Sequence, residues 1–140
     1  MSTRVDLALL CDYALLDQHG KLSVLGIWRH VAVQQFPAMH PRAHLVLHLR
    51  GRRTELGNHE LRVRLLDPAG EVALEQTGMM QVNEPPAGIV DLEAPAVLVF
   101  DLPLATAGEY AFVVSVDQIE VARVGFQATM VGGSPGGTVH

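Results

Sequence analysis

Cysteine occurs only once in this sequence, at Cys11. A single thiol cannot close an internal disulfide, which argues against a secreted, disulfide-stapled scaffold. Aromatic side chains are scarce too, at 5% of residues, and none lies between Phe36 and Phe100. Surfaces that grip single-stranded nucleic acid interleave basic groups with exposed rings, so nucleic acid is not an expected partner. No apolar run approaches the ~20 residues of a membrane-spanning helix. Asp6 and Asp12 bracket an apolar run too short for the about 7–15 uncharged residues of a signal-peptide core. The expectation is a cytoplasmic protein with no membrane partner.

Catalytic signatures are missing as well. The four serines are Ser2, Ser23, Ser115 and Ser134, and none occupies a Gly-x-Ser-x-Gly elbow. No glycine-rich phosphate loop opens a helix; the run Gly132 to Gly137 follows the last strand and contains no lysine. His40, His44 and His48 recur every four residues. On a strand that step is about 13 Å, whereas two ligands of one zinc lie within ~4 Å of each other. These histidines are read as solvated strand residues. No acidic cluster is dense enough for calcium, and Cys11 is read as a small buried hydrophobe. The sequence therefore assigns no catalytic residue, no cofactor and no metal.

What is present is strand grammar. Hydrophobic residues make up 49% of the 140, mostly Val, Leu and Ala. Val5 to Tyr13, Ala43 to Arg50, Leu61 to Leu65, Tyr110 to Val116 and Ala122 to Ala128 alternate apolar and polar positions, as half-buried strands do. Leu22 to Val33 and Val97 to Leu102 are apolar on both faces, the pattern of more central strands. Asp17-Gln18-His19-Gly20 and Asp67-Pro68-Ala69-Gly70 fit type I turns whose glycine takes the left-handed conformation. The two turns echo each other within Leu15 to Leu22 and Leu65 to Val72, and hairpin grammar alone accounts for the likeness. A three-residue loop around Asp117-Gln118-Ile119 would pair Val114 with Ala122 and Phe112 with Val124. Residues 34–42, with Pro37 and Pro41, read as a crossover or an irregular edge, and Ala87 to Ala96 as a loop. The expectation is an all-β fold, a single antiparallel β-sandwich of about eight strands with little or no helix. It spans residues 1–131 and is followed by a flexible tail over 132–140.

Charge divides the chain. Residues 1–64 hold nine basic and five acidic side chains, a net +4; residues 65–140 hold one basic and ten acidic, a net −9. Such polarity reads either as solvated surface or as complementary surfaces, within one chain or between copies. Its basic half concentrates in Arg50, Arg52, Arg53, Arg62 and Arg64, the candidate interaction patch. A hairpin pairing residues 43–50 with 60–66 would set Arg62 and Arg64 beside His48 and Val46.

The stretches Gly20 to Ile27, Phe36-Pro37-Ala38 and Gly108 to Phe112, in that order, resemble a family of small uncharacterised bacterial proteins. The resemblance covers roughly residues 5–128. It implies a one-domain all-β protein and carries no assigned activity. Gln118 stands where the resemblance leads one to expect glycine after Asp117. The leading functional expectation is a non-enzymatic interaction or structural module that self-associates, with another copy or another protein as partner. The alternative is a small-ligand-binding sandwich using the Arg50 to Arg64 face. An enzyme with an unrecognised site ranks last.

Overall fold

The computed structural model describes residues 3–51, 57–82 and 92–131. They form nine strands: β1 (Arg4–Leu16), β2 (Leu22–Ile27), β3 (His30–Val33), β4 (Ala38–Gly51), β5 (Gly57–Leu66), β6 (Val72–Val82), β7 (Leu92–Leu104), β8 (Gly108–Val116) and β9 (Ile119–Met130). No helix occurs among the described residues, so none is long and apolar enough to cross a membrane. A four-stranded sheet has the order β2-β1-β4-β7, and a five-stranded sheet the order β3-β9-β8-β5-β6. The hairpins β1–β2, β5–β6 and β8–β9 stay within a sheet, and every other connection changes sheet.

Several expectations need correction. There are nine strands rather than about eight, and β3 runs parallel to β9, so the fold is not wholly antiparallel. Both follow from Leu22 to Val33, which reads as one strand but breaks at Trp28 and Arg29 and sends its halves to different sheets. The strands expected to be central lie at the edges: β2 and β7 border one sheet and β3 borders the other. The pairing of residues 43–50 with 60–66 also fails. β4 sits between β1 and β7, while β5 sits between β6 and β8 in the other sheet. Strand β7 also claims the end of the segment read as a loop, running through Pro95 and Pro103. An edge strand tolerates proline because no second neighbour needs the missing N–H. The expected flexible tail lies outside the described residues.

The turns are as the sequence implies. Asp17 Oδ1 accepts the N–H groups of His19 at 2.7 Å and Lys21 at 2.9 Å. Asp67 Oδ1 does the same for Ala69 at 3.0 Å and Glu71 at 2.9 Å. Gly20 and Gly70 return the chain at φ of 79° and 84°. In the third hairpin Phe112 faces Val124 and Val114 faces Ala122 as expected. Its loop, however, has two residues, with Val116 facing Ile119 and a bulge between Val114 and Ser115 restoring the register. Asp117 and Gln118 both take left-handed backbone, at φ of 50° and 71°, a conformation that costs non-glycine residues about 1–2 kcal/mol each. A latch onto β5 offsets it. Asp117 N–H donates to Glu60 O at 2.9 Å, Glu60 N–H donates to Asp117 Oδ1 at 2.9 Å, and His59 Nδ1 lies 2.6 Å from Asp117 Oδ2.

One hydrophobic core joins the sheets. Leu45, Leu47, Phe100 and Leu102 from the four-stranded sheet meet Val63, Leu65, Phe112, Val114 and Phe126 from the five-stranded one. The Phe100 and Phe112 rings sit 5.4 Å apart across the layers, and Tyr110 stacks on Phe126 at 5.3 Å. Tyr110 is buried without leaving its hydroxyl unpaired: the O–H donates to Thr106 O at 2.7 Å and accepts from Thr106 N–H at 3.3 Å. Six of the seven aromatic residues belong to this core or pack against it, and Tyr13 does not.

Two outcomes test this account. Gly108 has a φ of 137°, and a Cβ there would lie 2.8 Å from Pro68 Cγ in the β5–β6 turn. Gly108→Ala is expected to cost roughly 1–3 kcal/mol in urea unfolding, since strain and clash add. Asp117's carboxyl is held below the usual aspartate range, first by its hydrogen bond with His59 and then by the Glu60 N–H. The folded state therefore binds this proton less tightly than the unfolded state. Its stabilisation is complete above the unfolded pKa and is lost as pH falls through the lower folded one. Unfolding measured between about pH 5 and pH 2 is expected to show a shallower acid loss in Asp117→Asn than in the native chain.

Candidate functional site

Of the five arginines proposed as one patch, the three that are described, Arg50, Arg62 and Arg64, do not share one face. Leu61, Val63 and Leu65 enter the core, so Arg62 and Arg64 project from the opposite face of β5. By the same alternation Leu45 and Leu47 enter the core from β4, and Arg50 projects from the far side of the other sheet. Arg52 and Arg53 lie outside the described residues. Nor are the described arginines bare. Arg50 pairs with Asp6 and, at 3.4 Å, with Glu93, and His48 lies 3.6 Å and 3.7 Å from the same two carboxylates. Arg62 reaches Glu60 at 3.3 Å. Arg123 holds Glu120 at 3.0 Å, and this bond, with help from the nearby Arg64 charge, draws Glu120's carboxyl below its ordinary range. Arg64 and Arg123 both flank Val113 in the ladder, and Arg62 flanks Ser115. Val113 and Ser115 are buried although they face away from the core, as expected when arginine stems lie over them. The centre of the five-stranded sheet's outer face is thus closed by its own charges, while Met79 on edge strand β6, opposite Glu60, stays 70% exposed.

Part of the sequence's polarity is matched within the molecule. Arg50 with Glu93, His59 with Asp117, and Arg64 near Glu120 each join a basic group of the first half to an acid of the second. The histidines of β4 occupy three separate settings. A bulge between His40 and Ala43, with Arg42 at φ 54°, breaks the alternation. His40 consequently lies against the Trp28 ring, at 5.0 Å, and burial pushes its pKa down. His44 Nδ1 donates to Arg42 O at 2.9 Å. Among the described residues no three His, Cys, Asp or Glu side chains gather as a metal site would need. A cavity of about 20 Å³ opens between Leu49, Arg50, His59, Met80 and Glu93. It has room for about one water, far below the ~300–1,000 Å³ of a small-molecule site.

The outer face of the four-stranded sheet is chemically different. Cys11 and Val46 are fully buried there, with Leu9 and Val97 packed against them. The ladder sets Leu9, Val46 and Val97 in one row, and Ile27, Cys11, His44 and Val99 in the next. Tyr13 faces Leu25, and its ring lies 5.5 Å from that of His44. Around the buried centre stand exposed hydrophobics: Leu25 at 67% of its free area, Ile27 at 59%, Val99 at 51%, Tyr13 at 46% and Leu7 at 38%. Isolated exposed hydrophobics are ordinary, but a contiguous patch marks an interaction surface. This face is the candidate site. Sequence reasoning missed it while holding its signal, since apolarity on both faces of residues 22–27 and 97–102 was taken as evidence of central strands.

The chain belongs to the family of unknown function DUF6941, whose profile matches residues 6–129. No curated protein matches it.

Cys11 provides a probe of the face. Its thiol donates to Tyr13 O at 3.3 Å, and burial pushes its pKa up. Burial thereby suppresses the reactive thiolate. Alkylation is expected to be slow in the native protein and fast in denaturant; rapid native labelling would show that the centre of the face opens to solvent.

Proposed function

We propose that this member of the family is a non-enzymatic protein-interaction module that self-associates, and that apolar contact rather than charge drives the association. In this reading the two sheets pack as a sandwich, and the sandwich acts as a rigid support for a binding face. The observation that carries it is the contrast between the two outer faces. One is closed at its centre by its own ion pairs, with the single Met79 exposed at its edge, and the other exposes Tyr13, Leu25, Ile27 and Val99 together around a buried apolar centre. Catalysis finds little support: the one thiol has its pKa raised by burial, and the cavity at the strand ends is water-sized. A lone buried thiol suits the reducing cytoplasm.

The intramolecular pairing of Arg50, His59 and Arg64 with acids of the second half leaves little motive for head-to-tail association by charge. Salt separates the two routes, because it screens ion pairs but not apolar burial. Native mass measured at rising concentration, in low salt and in about 1 M salt, is expected to show the same oligomer in both. Dispersal by salt would return the case to charge pairing. A clean monomer at high concentration in both conditions would overturn self-association.

A further inference from the structure

The sequence of the four-stranded sheet is composed as though both of its faces were covered, yet only one meets the core. β2 and β7 carry large apolar groups outward at Leu25, Ile27, Val97 and Val99, although both are edge strands. The single aromatic residue that stays out of the core, Tyr13, stands on this same face. Aromatic residues are enriched, and charged ones depleted, at the centres of interfaces.

The apolar centre makes no ionic demand. His44, which lies within it, is 5% exposed and already spends Nδ1 on the Arg42 carbonyl. A carbonyl can only accept, so Nδ1 carries the hydrogen. Charge stands only at the two ends of the face: Arg4, Arg50, Asp6 and Glu93 form a cluster of two cations and two anions at one, and Asp101, two residues beyond Val99 on β7, accepts the Arg42 N–H at the other. The cluster sums to zero, although the chain as a whole carries −5. A partner selected by charge would call for a signed patch. A second copy of the same face calls for a neutral one, because a two-fold contact sets the patch against itself.

The size of the patch fits the same occupant. Leu7, Tyr13, Leu25, Ile27 and Val99 together leave roughly 500 Å² in water. Two such patches remove on the order of 1,000 Å², the threshold at which a contact becomes a specific interface rather than an incidental one. We propose that two copies of this chain pack the outer faces of their four-stranded sheets against each other about a two-fold axis. Cys11, His44 and Val46 then lie beneath the contact, and the Arg50–Asp6–Glu93 clusters lie at its rim. This rests on the reading of the protein as self-associating, and supplies its surface and symmetry.

The test is the dimer dissociation constant, by sedimentation equilibrium on the full chain. The substitutions are Val99→Lys and Tyr13→Lys on the face, with Thr77→Glu on the outer face of the five-stranded sheet as control. Ile27→Lys, at a position 59% exposed, serves as the second face variant should Tyr13→Lys unfold in circular dichroism. Each face substitution is expected to weaken the dimer on the order of 100-fold, with the control unchanged. An oligomer that survives the face substitutions overturns the face-to-face contact and leaves self-association standing, with strand addition at the β2 edge the next place to look. A native chain that is monomeric throughout overturns both.

Discussion

A β-sheet presents two faces, and a chain of this length has one core in which to hide them. Everything else in the structure is a response to that limit. The two sheets turn one face each towards Phe100, Phe112 and Phe126, and so each is left with a face that the core cannot use. The five-stranded sheet solves the problem with arginines, whose stems cover Val113 and Ser115 while their heads find Glu60 and Glu120. The four-stranded sheet uses no such device over Cys11 and Val46. Its side chains there are of the kind that a core contains.

Local chemistry was legible in the sequence to the level of single bonds. Asp17 and Asp67 were readable as turn residues, because a carboxylate two positions before a backbone N–H has one obvious use, and both make that bond. Register in the last hairpin was readable because only one pairing of Phe112 and Val114 keeps the apolar faces together. Sheet membership was not readable. The break at Trp28 and Arg29 leaves no proline behind, and only the polar pair Arg29-His30 separates the apolar runs on either side of it. A strand that is apolar on both faces has the same sequence whether a neighbouring strand or a second molecule covers it. The signal for a central strand and the signal for an exposed binding face are therefore identical, and only topology separates them.

The arginines illustrate the opposite error. Arg50, Arg62 and Arg64 lie close in sequence, and sequence proximity was taken for spatial proximity. Strands β4 and β5 belong to different sheets, so the basic groups face away from each other across the whole thickness of the fold. Their acid partners come from both halves of the chain: Arg50 pairs with Asp6 as well as Glu93, Arg62 with Glu60, and Arg64 lies near Glu120. The charge imbalance between the halves is thus matched in part within the fold.

That long-range bookkeeping has a temporal side. Strand β3 has no partner except β9, and His30 meets Thr129 at a separation of 99 positions, with a 2.8 Å contact between Nε2 and Oγ1. During synthesis the ribosome releases β1 to β4 well before β9 exists. At a few to some tens of residues per second, the early strands wait for several seconds with their edges unpaired. In that interval the nascent chain displays Leu25 and Ile27 beside an open strand edge, at its most exposed to misassembly with neighbouring chains. The parallel pairing of β3 with β9 thus makes β9 the strand that closes the edge β3 leaves open.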